Sequence, residues 1–455
     1  MKPQQVQTLV LRAPAGPAVA HLIAQIPEGC GRAAARLLDT LSPSFGPQAL
    51  LHCCSIGFSF AGLEALRIPE GYLRLFRRSA PAFAEGAVRR SVHLGDGGAS
   101  AAGQWQPRFR QDRAHVLLSW HGPPESVHEA ARAFAENWQQ RIGNLLPEPL
   151  EGLRLGRPAG EEGEWVHFGF RDGLSEICID EEFPRPDAPD CRARAPGALL
   201  LGHVNDAGSN PFALSQAPDK VRAFFRDSSF GILRPMAQNL AAFEAQLDEW
   251  VLALQRVYAT PVTRDFVKAK LCGRWPSGQQ PRPGDLTPEG NLVLDLSGDD
   301  AGQGCPFGSH VRRMRAKPDP TGHDFERPLQ RRSMPFGPAA WSERPTDGKS
   351  RGLLGHFFCA SIEDQFEHLL GQWAARPPLG FAPDDSAQDP LIGAHDHAAA
   401  ALAVPLKDQP TQWLHGFGAW TTTLGTMYAW HPGKVGLQVL LGGDFEPDDE
   451  GGPWL

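Results

Sequence analysis

The stretch GLLGHFFCASIEDQFEHLLGQW at residues 352–373 predicts a strand that runs directly into a helix. Its first part is an apolar, aromatic run of strand length, and Phe366 and Leu370 then follow at helical spacing. Ser361 lies at the junction with Asp364 shortly after it, a pattern that caps the start of a helix. We therefore take a strand followed by a helix as the repeating unit of this fold.

The same unit recurs along the rest of the chain. Strand and helix patterns occur at residues 5–28 (a strand, then a helix), 51–66, 114–120 followed by 128–142, 197–204 (a strand alone) and 228–256. Segments 274–303 and 376–412 are rich in Gly, Pro and Asp and are predicted to be long surface connections. Two sets of strands with helices on one face predict an α+β protein.

The length of 455 residues suggests two domains, or two similar halves, with insertions. The net charge of −8 argues against a nucleic-acid or anionic-membrane partner. No apolar run is long enough to span a membrane. The N-terminal sequence lacks the features of a signal peptide, so we expect a cytoplasmic protein.

The eight cysteines are scattered and form neither a CxxC nor a CxxCH motif. This pattern excludes covalent c-type heme attachment and the common zinc modules. We expect reduced, mostly buried thiols.

Three segments carry residues suited to chemistry. WVHFGFRDGLSE at 165–176 holds Asp172 before Gly173, which in isolation is more typical of an Asp-Gly turn. LQRRSMPFGP at 329–338 holds Arg331 and Arg332, which alone indicate only a basic turn.

The third segment is GCPFGSHVRRMRAKPD at 304–319, in which His310 follows a tight Gly- and Pro-containing loop. A buried heme needs a neutral imidazole on its iron and cations for its two propionates. His310 and the arginines after it provide both, although on these residues alone a core or surface histidine beside a solvated basic run is the more common explanation. Those arginines are Arg312, Arg313 and Arg315.

Taken together, the three segments resemble the signatures of the dye-decolorizing (DyP-type) heme peroxidase family. FGFRDGLS resembles its Gly-X-X-Asp-Gly motif, CPFGSHVRR its proximal-histidine motif, and RRSMPFG its distal-arginine segment. The resemblance extends from about residue 50 to about residue 435, in the family's order. It implies two ferredoxin-like halves whose antiparallel sheets pack as a dimeric α+β barrel. We place their boundary near residue 205, so that the half 1–205 carries the distal loop and the half 206–455 carries the heme ligand.

The resemblance also implies the roles of individual residues. His310 would bind the iron of one non-covalent heme b per chain, Asp172 would be the distal acid, and Arg331 would stabilise negative charge beside the iron. The further residues implied to contact heme are Gly173, Leu174, Ser175, Arg312 and Arg315. The implied activity is reduction of hydrogen peroxide and one-electron oxidation of aromatic or dye-like donors. A homo-oligomer is also expected from the family.

Three alternatives stay open at this point. A heme-binding protein for heme storage or iron release needs His310 but not a working Asp172–Arg331 pair. A non-heme metal site at His395 and His397, or a fold without any cofactor, belongs to a different class. The residue behind the His310 ring is also open, and the family pattern points to Ser361 or Glu363. A carboxylate there would lower the reduction potential of the iron.

Overall fold

The computed structural model describes residues 1–156, 163–179, 189–257, 262–315, 327–341, 345–375, 388–393, 401–418 and 420–447. Sixteen strands lie in these ranges: β1 (Ala18–Ala24), β2 (Cys53–Phe58), β3 (Val116–Gly122), β4 (Leu150–Leu153), β5 (Glu164–Val166), β6 (Phe170–Asp172), β7 (Ser175–Cys178), β8 (Asp190–Ala193), β9 (Ser229–Gln238), β10 (Gln330–Arg331), β11 (Met334–Phe336), β12 (Gly352–Cys359), β13 (Ala401–Leu406), β14 (Gln409–His415), β15 (Thr421–Thr423) and β16 (Met427–His431).

Twelve α-helices lie in the same ranges: α1 (Thr8–Leu11), α2 (Gly31–Leu38), α3 (Phe60–Ala65), α4 (Glu70–Ser79), α5 (Pro81–Glu85), α6 (Ala87–Arg90), α7 (Pro124–Ile142), α8 (Asp219–Phe225), α9 (Leu240–Gln255), α10 (Arg264–Cys272), α11 (His310–Arg313) and α12 (Lys434–Gly442). The wider π-type turns Ile362–Glu367 and Leu369–Ala374 follow β12. Of the helices in the described ranges, none combines the length and apolar character that a membrane span requires.

The main sheet is antiparallel and runs through β10, β12, β9, β16, β2, β3, β1 and β4 in that order, with β11 on β12 and β15 on β9. Strands from the early and late parts of the chain meet where β16 pairs with β2, with Trp430 opposite Phe58. A Cβ built at Gly152 of β4 would lie 3.0 Å from the carbonyl oxygen of Pro335 in β11. The two ends of the sheet therefore curve toward one another, and the predicted α+β class is confirmed.

One face of this sheet packs on helices through aromatic side chains. Trp430 of β16 stacks on Phe224 of α8 with ring centroids 4.8 Å apart, and Phe76 of α4 meets the same indole at 5.4 Å. All three side chains are buried. Burial of this apolar surface is the main favourable contribution to folding. It also fixes the sheet against the helices that cover this face.

The opposite face carries four fully buried histidines, which we call the histidine cluster: His21, His121, His356 and His431. Side chains alternate along a strand, so His431 points away from the face that holds Trp430. The rings of His21 and His356 lie 5.2 Å apart, and those of His356 and His431 lie 5.7 Å apart. Burial lowers the pKa of His21 and of His431 to about 3, so both rings are neutral at neutral pH.

Most of the predicted strand and helix units are present. Segment 51–66 forms β2 and α3, segment 114–142 forms β3 and α7, segment 228–256 forms β9 and α9, and segment 352–373 forms β12 and the π-type turns. The end of segment 376–412 is not a loop, because β13 pairs with β14 there.

The prediction for residues 5–28 is wrong, because α1 comes first and β1 follows. Every residue of β1 is buried. A strand buried on both faces reads as a continuous apolar run, and such a run does not distinguish a strand from a helix. The strand predicted at 197–204 is also absent. Leu199 and Leu200 instead donate their backbone N–H groups to the Pro196 carbonyl in a tight turn.

The prediction that all cysteines are reduced is wrong for one pair. Cys178 of β7 and Cys191 of β8 form a disulfide. These strands pair in parallel and bring the two cysteine Cα atoms to 6.1 Å, a proximity that cysteine spacing in the sequence does not reveal. The other six cysteines are free.

Candidate functional site

His310 begins α11 directly after a loop that buried polar groups hold in place. The Asp299 carboxylate accepts hydrogen bonds from the backbone N–H groups of Gly304, at 3.0 Å, and Cys305, at 2.8 Å. Lys270 Nζ, which is buried, donates to the Gly304 carbonyl oxygen at 3.0 Å. Burial lowers the pKa of Lys270 to about 8. These contacts fix the backbone conformation of the residues that lead into His310.

A buried carboxylate orients the His310 ring. Asp389 Oδ2 lies 2.9 Å from His310 Nδ1, and Asp389 Oδ1 accepts the backbone N–H groups of Leu391 and Ile392 at 2.9 and 3.1 Å. Burial opposes ionisation of Asp389, but attraction to His310, to Arg313 and to the Leu391 N–H outweighs it and holds the Asp389 pKa below its usual value. An ionised carboxylate only accepts, so Nδ1 carries the hydrogen and Nε2 is the ring nitrogen left to bind a metal ion.

Neither residue predicted to support His310 does so. Ser361 Oγ accepts the backbone N–H of Asp364 at 3.1 Å, which confirms the predicted helix cap. Glu363 Oε1 accepts the backbone N–H of Ala82 at 2.5 Å. The partner of His310 is Asp389, in a segment predicted to be a surface connection, and no spacing rule links the two residues. The only signal in the sequence is an acidic residue directly before an apolar Pro-Leu-Ile run.

Asp172 ends β6 and is half-buried. It stands opposite Glu164 of β5 in a small antiparallel pair. Gly173 follows with φ of 72°, a left-handed conformation that favours glycine, so the chain turns sharply at this point. Leu174 is buried behind the turn and anchors it. Asp172 is therefore held at the tip of a tight, anchored loop.

The strands that follow Asp172 form a second anchor. The disulfide between Cys178 and Cys191 joins β7 to β8. Asp190 of β8 is buried and pairs with three arginines: Arg315, Arg274 at 3.4 Å and, on its own strand, Arg192 at 3.5 Å. These pairs tie the loop of Asp172 to the segments before and after His310.

Arg331 lies on the edge strand β10, opposite Phe357 of β12. Its side chain is exposed, while its neighbours Gln330 and Arg332 are 1% and 4% exposed. Burial lowers the pKa of Arg274, and the positive charge of Arg331 lowers it further. Gln330, next to Arg331, contacts Glu176 and Ile177, so β10 lies beside the strand that follows the Asp172 loop.

The GRWPSG segment at 273–278 connects the two sides of the site. The backbone N–H of Arg171, next to Asp172, donates to the Pro276 carbonyl oxygen at 2.8 Å. At its other end, a Cβ built on Gly273 would lie 2.7 Å from the sulfur of Cys305 in the loop before His310. Residues from three distant parts of the sequence thus meet around one short segment.

The arginines after His310 have different surroundings. Arg312 lies 3.4 Å from the Asp299 carboxylate and above the Phe307 ring. Arg313 is fully buried and donates to backbone carbonyl oxygens. Arg315 pairs with Asp190. His395 and His397, the alternative metal ligands, lie outside the described residues. The described residues contain no group of three or more His, Cys, Asp and Glu side chains that could hold a metal ion.

The donor set at this site matches what a heme requires. Within the described ranges, the side chains of Asp172 and Arg331 make no hydrogen bond, and His310 bonds through Nδ1 alone. A neutral imidazole with a bare nitrogen is the usual proximal ligand of heme iron. A carboxylate and a guanidinium are groups that move protons and stabilise negative charge. The chemistry of these three side chains therefore fits a heme.

No protein-family model matches the chain. Among curated proteins, it is 27% identical over 365 residues to the dye-decolorizing peroxidase msp1 of Mycetinis scorodonius, covering 74% of this chain and 65% of that protein. It is 28% identical over 365 residues to the multifunctional dye peroxidase DyP2 of an Amycolatopsis species, covering 74% and 73%. The chain thus spans just under two thirds of the length of the first relative.

Solved structures show the same fold. A dye-decolorizing peroxidase in complex with 2,6-dimethoxyphenol superposes with a TM-score of 0.73 at 21% identity, covering 97% of this chain and 99% of that one. A fungal DyP-type peroxidase from Auricularia auricula-judae also reaches 0.73, at 19% identity and with coverage of 97% and 98%. The predicted ferredoxin-like α+β fold is confirmed. In sequence the chain is similar to dye-decolorizing (DyP-type) peroxidases, and it shares their fold.

Proposed function

We propose that this chain is a heme peroxidase that reduces hydrogen peroxide and oxidises aromatic or dye-like donors in one-electron steps. The observation that carries the proposal is the 2.9 Å contact between His310 Nδ1 and the buried Asp389, which leaves Nε2 bare for iron. The absence of a CxxCH motif supports a non-covalent heme b, and the single His310 site supports one heme per chain. Bound heme supplies the electron transfer to peroxide and from the donor.

Asp389 acts through His310. Its carboxylate holds the ring orientation and places negative charge on the far side of the imidazole. A histidine that donates to a carboxylate is a stronger electron donor to iron, which lowers the reduction potential. This arrangement favours a peroxidase over a carrier that must hold reduced iron. A Ser361 hydroxyl behind the ring would not place a negative charge there.

Asp172 and Arg331 act on the peroxide. With peroxide bound at the site, the Asp172 carboxylate would take up a proton from it and return that proton to the departing oxygen as the O–O bond breaks. The Arg331 guanidinium stabilises the negative charge that develops on the departing oxygen. The exposure of Arg331 and the half-buried position of Asp172 support this assignment, because both side chains are accessible to a small molecule.

The remaining heme contacts are proposed from position in the chain. Gly173, Leu174 and Ser175 follow Asp172 and would line the heme face on the same side. Arg312 and Arg315 are the candidates for the propionates. Each of them already neutralises an acidic side chain, so a propionate would share its guanidinium rather than take an unpaired one.

Location, domain boundary and assembly stay predictions. The cytoplasmic location was expected from the N-terminal sequence, but the Cys178–Cys191 disulfide is more typical of an oxidising compartment. The halves 1–205 and 206–455 and a homo-oligomer are likewise proposed from the family resemblance.

Absorption spectroscopy of the heme-loaded protein tests the proposed ligand. Wild type is expected to show a strong Soret band that His310→Ala loses, while His93→Ala, which changes an exposed histidine, keeps it. A wild-type protein that stays colourless after folding with heme refutes the proposal.

Peroxide turnover tests the proposed distal pair. Asp172→Ala and Arg331→Ala are each expected to lower turnover by about 10²- to 10³-fold with the Soret band retained. If both variants turn over peroxide as wild type does, the chain is a heme-binding protein of the storage or iron-release kind instead.

A further inference from the structure

Both sequence neighbours of Arg331 contact one buried carboxylate, that of Glu176. Gln330 Nε2 donates to Glu176 Oε1 at 2.9 Å, and a guanidinium nitrogen of Arg332 lies 2.8 Å from the same oxygen. The exposed fractions of Gln330, Arg332 and Glu176 are 1%, 4% and 5%. Charge-assisted hydrogen bonds of this kind are short and directional, so they hold their partners closely.

Glu176 is also part of the strand that follows the Asp172 loop. It lies on β7, which begins directly after the turn at Gly173 and Leu174. A second set of contacts supports the same junction. Gln330 Nε2 donates to the Ile177 carbonyl oxygen at 3.1 Å, and Gln330 Oε1 accepts the Ile177 N–H at 3.3 Å. Strand β7 is therefore docked on β10 through side chains rather than through a shared ladder.

Arg332 extends this contact to the backbone of Arg331 itself. One of its guanidinium nitrogens donates to the Arg331 carbonyl oxygen at 2.9 Å, and its Nε donates to the Leu9 carbonyl oxygen of α1 at 2.7 Å. The guanidinium is thus anchored on a helix, on Glu176 and on the residue that carries the distal charge. An ion pair with a purely structural role in the core would not need to contact the backbone of Arg331.

We propose that Glu176 is a positioning residue that sets the distance between Asp172 and Arg331 by holding Gln330 and Arg332. The inference rests on the proposed function of the distal pair. Glu176 lies on the Asp172 side of the junction and its two partners flank Arg331, so the three side chains connect the proton-accepting group to the charge-stabilising group. A displacement of about 1 Å between such groups is enough to lower a rate by about 10²-fold.

Cyanide binding to the ferric, heme-loaded protein tests this without peroxide turnover. Hydrogen cyanide must give up its proton to a distal base and then keep its negative charge stabilised, so its association rate reports on the Asp172–Arg331 geometry. We expect Glu176→Gln to slow cyanide association by at least about 10-fold and to shift the pH profile of that rate, with the Soret band retained.

Glu367→Gln is the matched control. The Glu367 carboxylate is also 5% exposed and also holds an arginine and a neutral donor, Arg90 and the Tyr428 hydroxyl at 3.0 Å. It does not contact β7 or β10 among the described residues. Thermal unfolding is expected to be lowered similarly in both variants, while the cyanide rate changes in Glu176→Gln alone.

Gln330→Met provides a second variant should Glu176→Gln fail to fold. It keeps the Arg332–Glu176 ion pair and removes only the amide contacts, so a slowing of about 3-fold is expected. The proposal is overturned if cyanide associates with Glu176→Gln or Gln330→Met at the wild-type rate, or if Glu367→Gln is slowed equally. Failure of the proposed function looks different, because wild type would then lack a Soret band or Asp172→Ala and Arg331→Ala would leave turnover unchanged.

Discussion

Acidification from about pH 7 to about pH 5 is expected to destabilise the folded protein through the histidine cluster. Unfolded histidines titrate near pH 6.5, whereas burial lowers the pKa of His21 and His431 to about 3. The unfolded chain therefore takes up protons over this range and the folded chain does not. Stability is fully present above pH 6.5 and is lost progressively as the pH falls toward 3.

The magnitude follows from the two pKa values. At about pH 5 each of His21 and His431 lowers the free energy of unfolding by about 2 kcal/mol, or about 4 kcal/mol together. Burial also holds the pKa of His121 and His356 well below the usual value, so both add to the loss with the same sign. Since a domain is typically stable by about 5 to 15 kcal/mol, this is a large fraction of the total.

Urea unfolding followed by tryptophan fluorescence measures this effect at the two pH values. His21→Gln is expected to reduce the pH dependence of the unfolding free energy by about 2 kcal/mol, whatever it does to stability at pH 7. His93→Gln, at an exposed position, is expected to leave the pH dependence unchanged. Equal stability of wild type at both pH values, or an equal effect of His93→Gln, would refute the reasoning.

Three further outcomes are expected. Asp389→Asn keeps a hydrogen-bond partner for His310 but removes the charge, so spectroelectrochemistry should give a more positive iron reduction potential and peroxide turnover should fall by about 10- to 100-fold; an unchanged potential contradicts the role given to Asp389. Replacing Cys178 and Cys191 by Ser should lower the free energy of unfolding by about 3 kcal/mol in urea without reductant, and wild type treated with dithiothreitol should match the variant. Lys270→Met should cost about 1 to 3 kcal/mol, because buried carbonyl oxygens lose their donor, and a neutral result would mean that water replaces the ammonium group.

Local patterns in the sequence predicted those elements that have a polar face or a clear end. The helix Pro124–Ile142 is such a case, because its buried residues recur at helical spacing. The capped start of the helix after β12 is another, because Ser361 and Asp364 are close in sequence. Prediction failed at β1, whose residues are buried on both faces and so show no alternation.

The candidate site divides in the same way. His310, Asp172 and Arg331 could be proposed from the sequence because each lies in a short segment whose neighbouring residues are themselves informative. Asp389 was missed because its contact with His310 spans 79 positions and depends on how a loop returns to the site. Glu176 was missed for the same reason, since Gln330 lies 154 positions away.

The sequence by itself determined the class of the fold, the family resemblance and three side chains proposed to carry the chemistry, because periodicity and short motifs are local properties. Only the tertiary structure decided which carboxylate stands behind His310, which cysteines pair and which buried carboxylate contacts both neighbours of Arg331. Each of these depends on distances between segments far apart in the chain, and such distances are set by how the sheet curves and where its loops return.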